Sequence, residues 1–383
     1  MPEPSDAPLN SSTTPARSAA ALGYRMPAEW EPQDAVWVTP PHNAETWPGC
    51  LPEAREQFDA FLDVLKRFVT VRTTDDVGIE TNDSWVRDFG PLFVTRKPDT
   101  PHVPTGSPSA AGTPRPSPLG PRSSALGLRP TAHGPRPTPH APPLPPLACH
   151  DFIFNGWGGK YETRDLDNAV PRGIARHLNI PLWEHGIVLE GGSIDVNGRG
   201  TVMTTEQCLL NPNRNPDLSK DQIEKTLHEC LGTAHAIWLP GGIIGDDTDG
   251  HVDTLARFCD PGTIAYQACD DRQDAHYEEL RAMADELAAF RDPYGKPYRL
   301  APLPLPEPIH DDDGRRLPAG YPNFLIVNGA VLVPTYGCAQ DAAALERLRP
   351  CFPTREVIGI DCRALIHQYG SLHCVTMQIP KAP

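Results

Sequence analysis

The chain has 383 residues, 39% of them apolar and 22% charged, with a formal net charge of −15. That balance supports a sizeable core and excludes global disorder, while the negative total argues against a nucleic-acid partner. The N-terminus lacks the basic patch and apolar run of a secretory signal, and no segment reaches the roughly 20 apolar residues of a membrane helix, so a cytoplasmic protein without a membrane partner is expected.

Residues 1–22, rich in Ser, Thr, Pro and Ala, read as a disordered leader to a single catalytic domain over 23–383. The globular pattern opens with a strand candidate at Ala35 to Val38 and a helix over 52–67, where Phe58, Phe61, Leu62, Leu65 and Phe68 recur at helical spacing. Residues 98–147 then hold 16 prolines. Proline at that density removes backbone donors and blocks both helix and ladder, so the stretch reads as a disordered proline-rich insertion, a passive expansion of a loop.

Beyond it, helices are expected over 169–178, over 219–231 with Ser219 and Gln222 as a capping box, over 273–290 and from about 340. Strand candidates lie at 186–189, 194–196, 201–204, 236–239, 263–267, 324–327, 331–334 and 373–379. Five helices alternate with small groups of strands, and no Gly-x-Gly-x-x-Gly joins a strand to a helix, which argues against a dinucleotide fold. A radial arrangement of small sheet-and-helix units fits this α/β pattern, because each unit alone buries too little apolar area to stand.

Chemistry-bearing residues concentrate in four places. Trp85-Val86-Arg87-Asp88-Phe89-Gly90-Pro91 sets Asp88 just ahead of a strand at Leu92 to Val94, and Leu189-Glu190-Gly191-Gly192 closes an apolar strand with a carboxylate. In Asp246-Asp247-Thr248-Asp249-Gly250-His251-Val252-Asp253, an extended 251–253 would set His251 and Asp253 on one side. The acidic density resembles a calcium loop, yet the distal Glu is absent, and no second local histidine offers zinc spacing. The fourth place, Gly370-Ser371-Leu372-His373-Cys374-Val375, carries Cys374 into an alternating strand, exposed at a rim. The ten cysteines are otherwise too scattered for a Cys-x-x-Cys motif and read mostly as buried thiols.

Together with Met26-Pro27-Ala28-Glu29-Trp30-Glu31-Pro32, Thr46-Trp47-Pro48-Gly49 and Phe154-Asn155-Gly156-Trp157-Gly158-Gly159-Lys160-Tyr161, these segments resemble the agmatine deiminase family of the guanidine-modifying penteins, over nearly all of 24–380 except the insertion. The resemblance implies a five-fold pseudosymmetric α/β propeller with a central site. By motif position Cys374 is the nucleophile, His251 the general acid/base, Asp88 and Asp253 the guanidinium clamp, and Glu190 the support of His251; Trp85, Trp157, Trp30 and Asp247 are candidate substrate contacts. Gln33 departs from the His that often closes the opening motif, Tyr369-Gly370-Ser371 from Gly-Gly-Asn, and Phe89 from a small residue or Thr.

The residue types suit that chemistry. A guanidinium keeps its charge at neutral pH on a planar fork, so two carboxylates can grip it while its carbon stays open to a thiolate. Neither cofactor nor metal is required. The partner is then a small cationic guanidinium substrate, and a homo-oligomer stays open. Two other readings compete: an arginine or peptidyl-arginine deiminase of the same superfamily, and a non-catalytic cation-binding module built on Trp30, Trp47, Trp85 and Trp157.

Overall fold

The computed structural model describes residues 17–97, 144–162 and 164–383. The expected leader up to residue 16 and the expected insertion over 98–143 lie outside these residues. Of the residues expected in the leader, Ala19 is buried and Ala20–Leu22 forms a 3-10 turn closed by Gly23 in the left-handed region. Of those expected in the insertion, Pro145 accepts a 2.5 Å hydrogen bond from the Tyr24 hydroxyl and Pro146 accepts one from Arg96 N.

The described residues form five three-stranded sheets built on one plan. In the first, β1 (Gln33–Val38) leads through helix α1 (Leu51–Leu65) to β2 (Thr70–Thr73), which lies parallel to it. The second runs β3 (Leu92–Thr95), β4 (Leu147–Ile153), α2 (Val170–Leu178) and β5 (Leu182–Val188). The third is β6 (Asp195–Val196), β7 (Thr201–Thr205), α3 (Lys220–Leu231) and β8 (His235–Leu239). The fourth is β9 (Ala256–Asp260), β10 (Thr263–Gln267), α4 (Tyr277–Ala289) and β11 (Arg299–Leu303). The fifth is β12 (Leu325–Ile326), β13 (Ala330–Thr335), α5 (Gln340–Leu348) and β14 (Glu356–Asp361).

Each sheet has a central strand flanked by an antiparallel and a parallel neighbour, the helix making the parallel crossover. The antiparallel partner of β1 comes from the far end of the chain, β15 (Thr376–Pro380), paired from Val38 opposite Thr376 to Gln33 opposite Pro380. The antiparallel strands are almost wholly buried, whereas the parallel ones are half-exposed, as in β2, β11 and β14.

The helices follow their sequence signals. The α1 stripe of Phe58, Phe61, Leu62 and Leu65 is buried, and Ser219 and Gln222 make the expected capping box on α3, which ends at Gly232 in the left-handed region. Among the described residues no helix is long and apolar enough to cross a membrane.

Candidate active site

Each buried antiparallel strand is entered through a turn, and the turns converge. Asp88 sits in the one-turn helix Val86–Phe89 ahead of β3; Glu190, Gly191 and Gly192 precede β6; His251 and Asp253 precede β9; Asn323 precedes β12; and Cys374 precedes β15. One cavity is lined by Asp88, His251 and Cys374 in its depth, with Trp85 and Trp157 as apolar walls, and by Asp83, Asp247, Tyr161 and Tyr369.

Two local expectations need correcting. Residues 251–253 are not extended: Thr254 bonds back to the His251 carbonyl through N (3.2 Å) and Oγ1 (2.8 Å), winding Val252–Thr254 into a 3-10 turn. Nor does Cys374 stand exposed within a strand. It is buried in the turn before β15, where Val375 N bonds to Ser371 O and Thr376 Oγ1 to Leu372 O.

Gly192 explains how the turns can meet. A Cβ there would lie 2.6 Å from His251 Nδ1, 2.7 Å from Asp88 Oδ1 and 3.1 Å from Asp253 Oδ2, so three of the expected site residues crowd one backbone position. Its N–H donates to Asp88 Oδ1 (2.9 Å), while Trp157 Nε1 donates to Asp88 Oδ2 (2.8 Å). Trp157 adopts φ 52°, ψ 51°, a left-handed conformation that costs a bulky residue roughly 1–2 kcal/mol, offset by the Asp88 bond and by edge-on packing against Phe154 and Tyr161. Replacing Gly192 with Ala is expected to lower kcat/KM about 10²-fold with a native circular dichroism spectrum, since displacing reacting groups by about 1 Å costs that much. A folded variant with unchanged kcat/KM would mean that these three side chains do not act as one set.

Asp253 is tied into a buried charge network that the sequence does not announce. His373 Nδ1 contacts Asp253 Oδ2 at 2.7 Å and its Nε2 contacts Glu29 Oε2 at 2.8 Å; Arg257 Nη2 donates to the same Glu29 oxygen at 2.8 Å. Burial alone would raise the Asp253 carboxyl, but the His373 hydrogen bond and charge hold it below the usual range. Burial and the neighbouring Asp253 charge push Asp88 well above it. Burial brings His251 down to about 3, which leaves it neutral at pH 7.

Cys374 Sγ lies 3.7 Å from Asp253 Oδ2 and accepts a hydrogen bond from Asn323 Nδ2 at 3.2 Å. Burial, then the charges of Asp253 and Asp88, push its thiol well above the ordinary value. The charges that act on it are those of carboxylates.

Glu190 does not hydrogen-bond His251. Its Oε1 takes Arg214 Nε at 2.9 Å, although its carboxylate and the imidazole each place an atom within 4.8 Å of the other. Among the described residues Glu190 Oε2, Asp253 Oδ1 and both His251 ring nitrogens lack a hydrogen-bond partner. Buried polar atoms are seldom left so, and the two carboxylate oxygens with the one acceptor nitrogen of a neutral His251 suit a ligand rich in N–H groups.

The acidic loop before His251 is a scaffold. Asp246 accepts from Thr248 N, Thr248 Oγ1 and Gly250 N, and Arg214 pairs with Asp249 while donating to the Thr248 carbonyl. Asp247 stands at the cavity and accepts from the Tyr161 hydroxyl at 2.6 Å, while Lys160 Nζ reaches its carbonyl. Trp30 is not brought to the cavity: it packs against the buried apolar core, and its carbonyl accepts from Arg355. Trp47 stacks behind Trp85 at 5.6 Å, so a four-tryptophan cage is not formed.

The sequence model of the Porphyromonas-type peptidyl-arginine deiminase family matches residues 25–380. The chain belongs to this family. Agmatine deiminase of Medicago truncatula is 34% identical, the alignment covering 94% of this chain and 96% of the relative. Agmatine deiminase of Stutzerimonas stutzeri is 33% identical with the same coverage. Among solved structures, the agmatine deiminase of Enterococcus faecalis gives a TM-score of 0.78 at 28% identity, covering 97% of this chain and 99% of that one. A cysteine-to-serine form of C. jejuni agmatine deiminase with substrate bound gives 0.75 at 32% identity, covering 94% and 97%.

Within this deiminase family the chain's departures have local explanations. Gln33 is buried and donates through Nε2 to the carbonyls of Glu29 (2.7 Å) and Ile326 (2.9 Å), securing the opening motif. Phe89 packs edge-on against Phe154, and Tyr369 carries the Arg315 guanidinium over its ring at 4.6 Å beside the cavity.

Proposed function

We propose that this chain is an agmatine deiminase, hydrolysing agmatine to N-carbamoylputrescine and ammonia. The observation that carries the reading is the convergence of the Cys374 thiol, the His251 imidazole and the Asp88 carboxylate on one cavity also lined by Asp83 and Asp247, with the Asp253 carboxylate 3.7 Å from the thiol. Full-length relatives named agmatine deiminase support it.

A planar guanidinium between Asp88 and Asp253 offers N–H donors to both carboxylates and presents its carbon to Cys374. Its positive charge favours the ionised forms of Asp88 and of the thiol, reversing the two carboxylates' effect on Cys374. Sulfur adds to the carbon, and the thiol proton passes to His251. That imidazolium then protonates the departing amine, so ammonia leaves and an amidino-thioether stays on Cys374. Water attacks the same carbon with His251, again neutral, as base; collapse yields the ureido product and the free thiol. Glu190, fixed by Arg214, stands beside the imidazole, with an oxygen free to meet an N–H of the imidazole or the substrate.

Burial pushes Asp83 up to about 7 and raises Asp247 as well. A distal ammonium would hold both ionised, whereas an α-carboxylate would meet repulsion. The buried inner strands, with β15 completing the sheet begun by β1, support a closed five-fold propeller as the single catalytic domain.

Agmatine, free arginine and a blocked arginine peptide should be compared by kcat/KM under one set of conditions, with ammonia and ureido product both measured. Agmatine is expected to be highest. A larger value for either arginine substrate would move the substrate assignment within the family, and Arg315 beside Tyr369 would become the first candidate for the carboxylate.

A further inference from the structure

Away from the cavity, three side chains from separate segments meet: His150 on β4, His185 on β5 and Cys230 near the end of α3. His150 Nδ1 lies 2.8 Å from His185 Nε2, and Cys230 Sγ lies 3.8 Å from that same nitrogen. One ligating atom from each residue lies within 4.8 Å of the other two. We propose that His150, His185 and Cys230 form a binding site for one zinc-like divalent transition-metal ion, with a fourth coordination position open.

Zinc–nitrogen bonds of about 2.0–2.1 Å and zinc–sulfur bonds of about 2.3 Å set tetrahedral ligand atoms roughly 3.3–3.6 Å apart. The 2.8 Å and 3.8 Å separations at His185 Nε2 bracket that spacing, so the two imidazole nitrogens need part by about half an ångström. The His150 tautomer is already suitable, while His185, whose Nε2 donates to His150, must carry its proton on Nδ1 instead to ligate. His150 Nε2 faces the Cys230 carbonyl at 2.9 Å and must donate to it, which leaves Nδ1 with its lone pair turned toward His185. A backbone carbonyl on the far nitrogen is the usual outer partner of a metal-binding histidine.

The rings are held in place as well. Trp183 stacks on His150 at 5.1 Å and Phe152 on His185 at 4.4 Å. His150 and Cys230 are buried while His185 is partly exposed, giving an ion a way in. None of the three lines the catalytic cavity. The ligands are 35 and 45 residues apart along the chain, so a search for local ligand spacing passes over them. The alternative is a plain His150–His185 hydrogen bond with a thiol packed beside it. Bound metal would instead tie the second sheet to the helix of the third.

The test uses the full chain, stripped with a chelator and titrated with Co²⁺ as the probe. Wild type is expected to bind one equivalent with a thiolate-to-cobalt charge-transfer band that Zn²⁺ displaces, and Zn²⁺ should raise its Tm. Cys374→Ala should keep the band. Cys230→Ser should lose it, and the partly exposed His185→Gln, the gentler change for folding, should weaken binding at least tenfold. Both of these variants should still release ammonia from agmatine, so the outcome is independent of the proposed activity. Absence of the band in wild type, its persistence in both variants, or its loss on replacing Cys208 or Cys374 instead would overturn the proposal.

Discussion

Cys374→Ala is expected to lower turnover of agmatine by about 10⁴-fold or more while the protein stays folded. The side chain is small and buried, and the change deletes a single sulfur atom, so the turn can persist through its backbone bonds. Arg87 N donates to the Cys374 carbonyl at 3.1 Å and Arg87 Nε to the His373 carbonyl at 3.2 Å, both independent of the thiol. The sulfur's contacts with Asn323 Nδ2 and Asp253 Oδ2 are lost, and the amide retains the Asp253 carbonyl at 3.4 Å while the carboxylate retains His373. The variant should bind agmatine, because both clamp carboxylates remain, yet form no covalent intermediate. Ammonia release and circular dichroism check the two halves of this expectation. Activity within tenfold of wild type in a well-folded variant would remove Cys374 from the chemistry.

Asp88→Asn and Asp253→Asn should each reduce kcat/KM by about 10²–10³-fold, corresponding to roughly 3–4 kcal/mol of lost charge-assisted recognition. The two changes are not equivalent. Both Asp88 oxygens accept N–H groups, from Gly192 and from Trp157, so an amide there turns its own N–H₂ toward a donor and disturbs the wall of the cavity. Asp253 faces His373, which also contacts Glu29 across the buried network; an asparagine leaves that imidazole facing one carboxylate instead of two. The Asp253 charge also favours protonation of His251 against the effect of burial, so Asp253→Asn should shift the pH profile of kcat/KM, whereas Asp88→Asn should act mainly on substrate recognition. Steady-state kinetics across pH for both variants decide this. Unchanged kcat/KM in both would mean that these carboxylates do not grip the substrate.

The parts of the molecule that were legible in the sequence are those with strong local periodicity. The α1 stripe and the α3 capping box have short-range causes, and, apart from β4, where His150 and Asp151 interrupt the apolar run, the central strands stand out by composition. The parallel outer strands β2, β11 and β14 did not, because one face of each meets solvent and polar residues alternate through them. The site divides in the same way. Asp88, Glu190, His251, Asp253 and Cys374 sit in motifs that can be recognised segment by segment. Asn323 does not, although it occupies the turn before β12 that corresponds to the turn of Cys374 before β15; the phase of the repeat was the available signal. Glu29, Arg214 and Arg257 were missed because their partners come from remote segments, and His373 because the cysteine beside it drew the functional reading. Trp30 shows the converse error, a motif aromatic whose place is in the packing.

The most direct test is to quench the wild-type chain during turnover of agmatine and measure its intact and peptide masses. The account predicts an amidino adduct on the peptide containing Cys374 that forms and decays with ammonia release. Steady ammonia release with no adduct on Cys374, or an adduct on another cysteine, would contradict it.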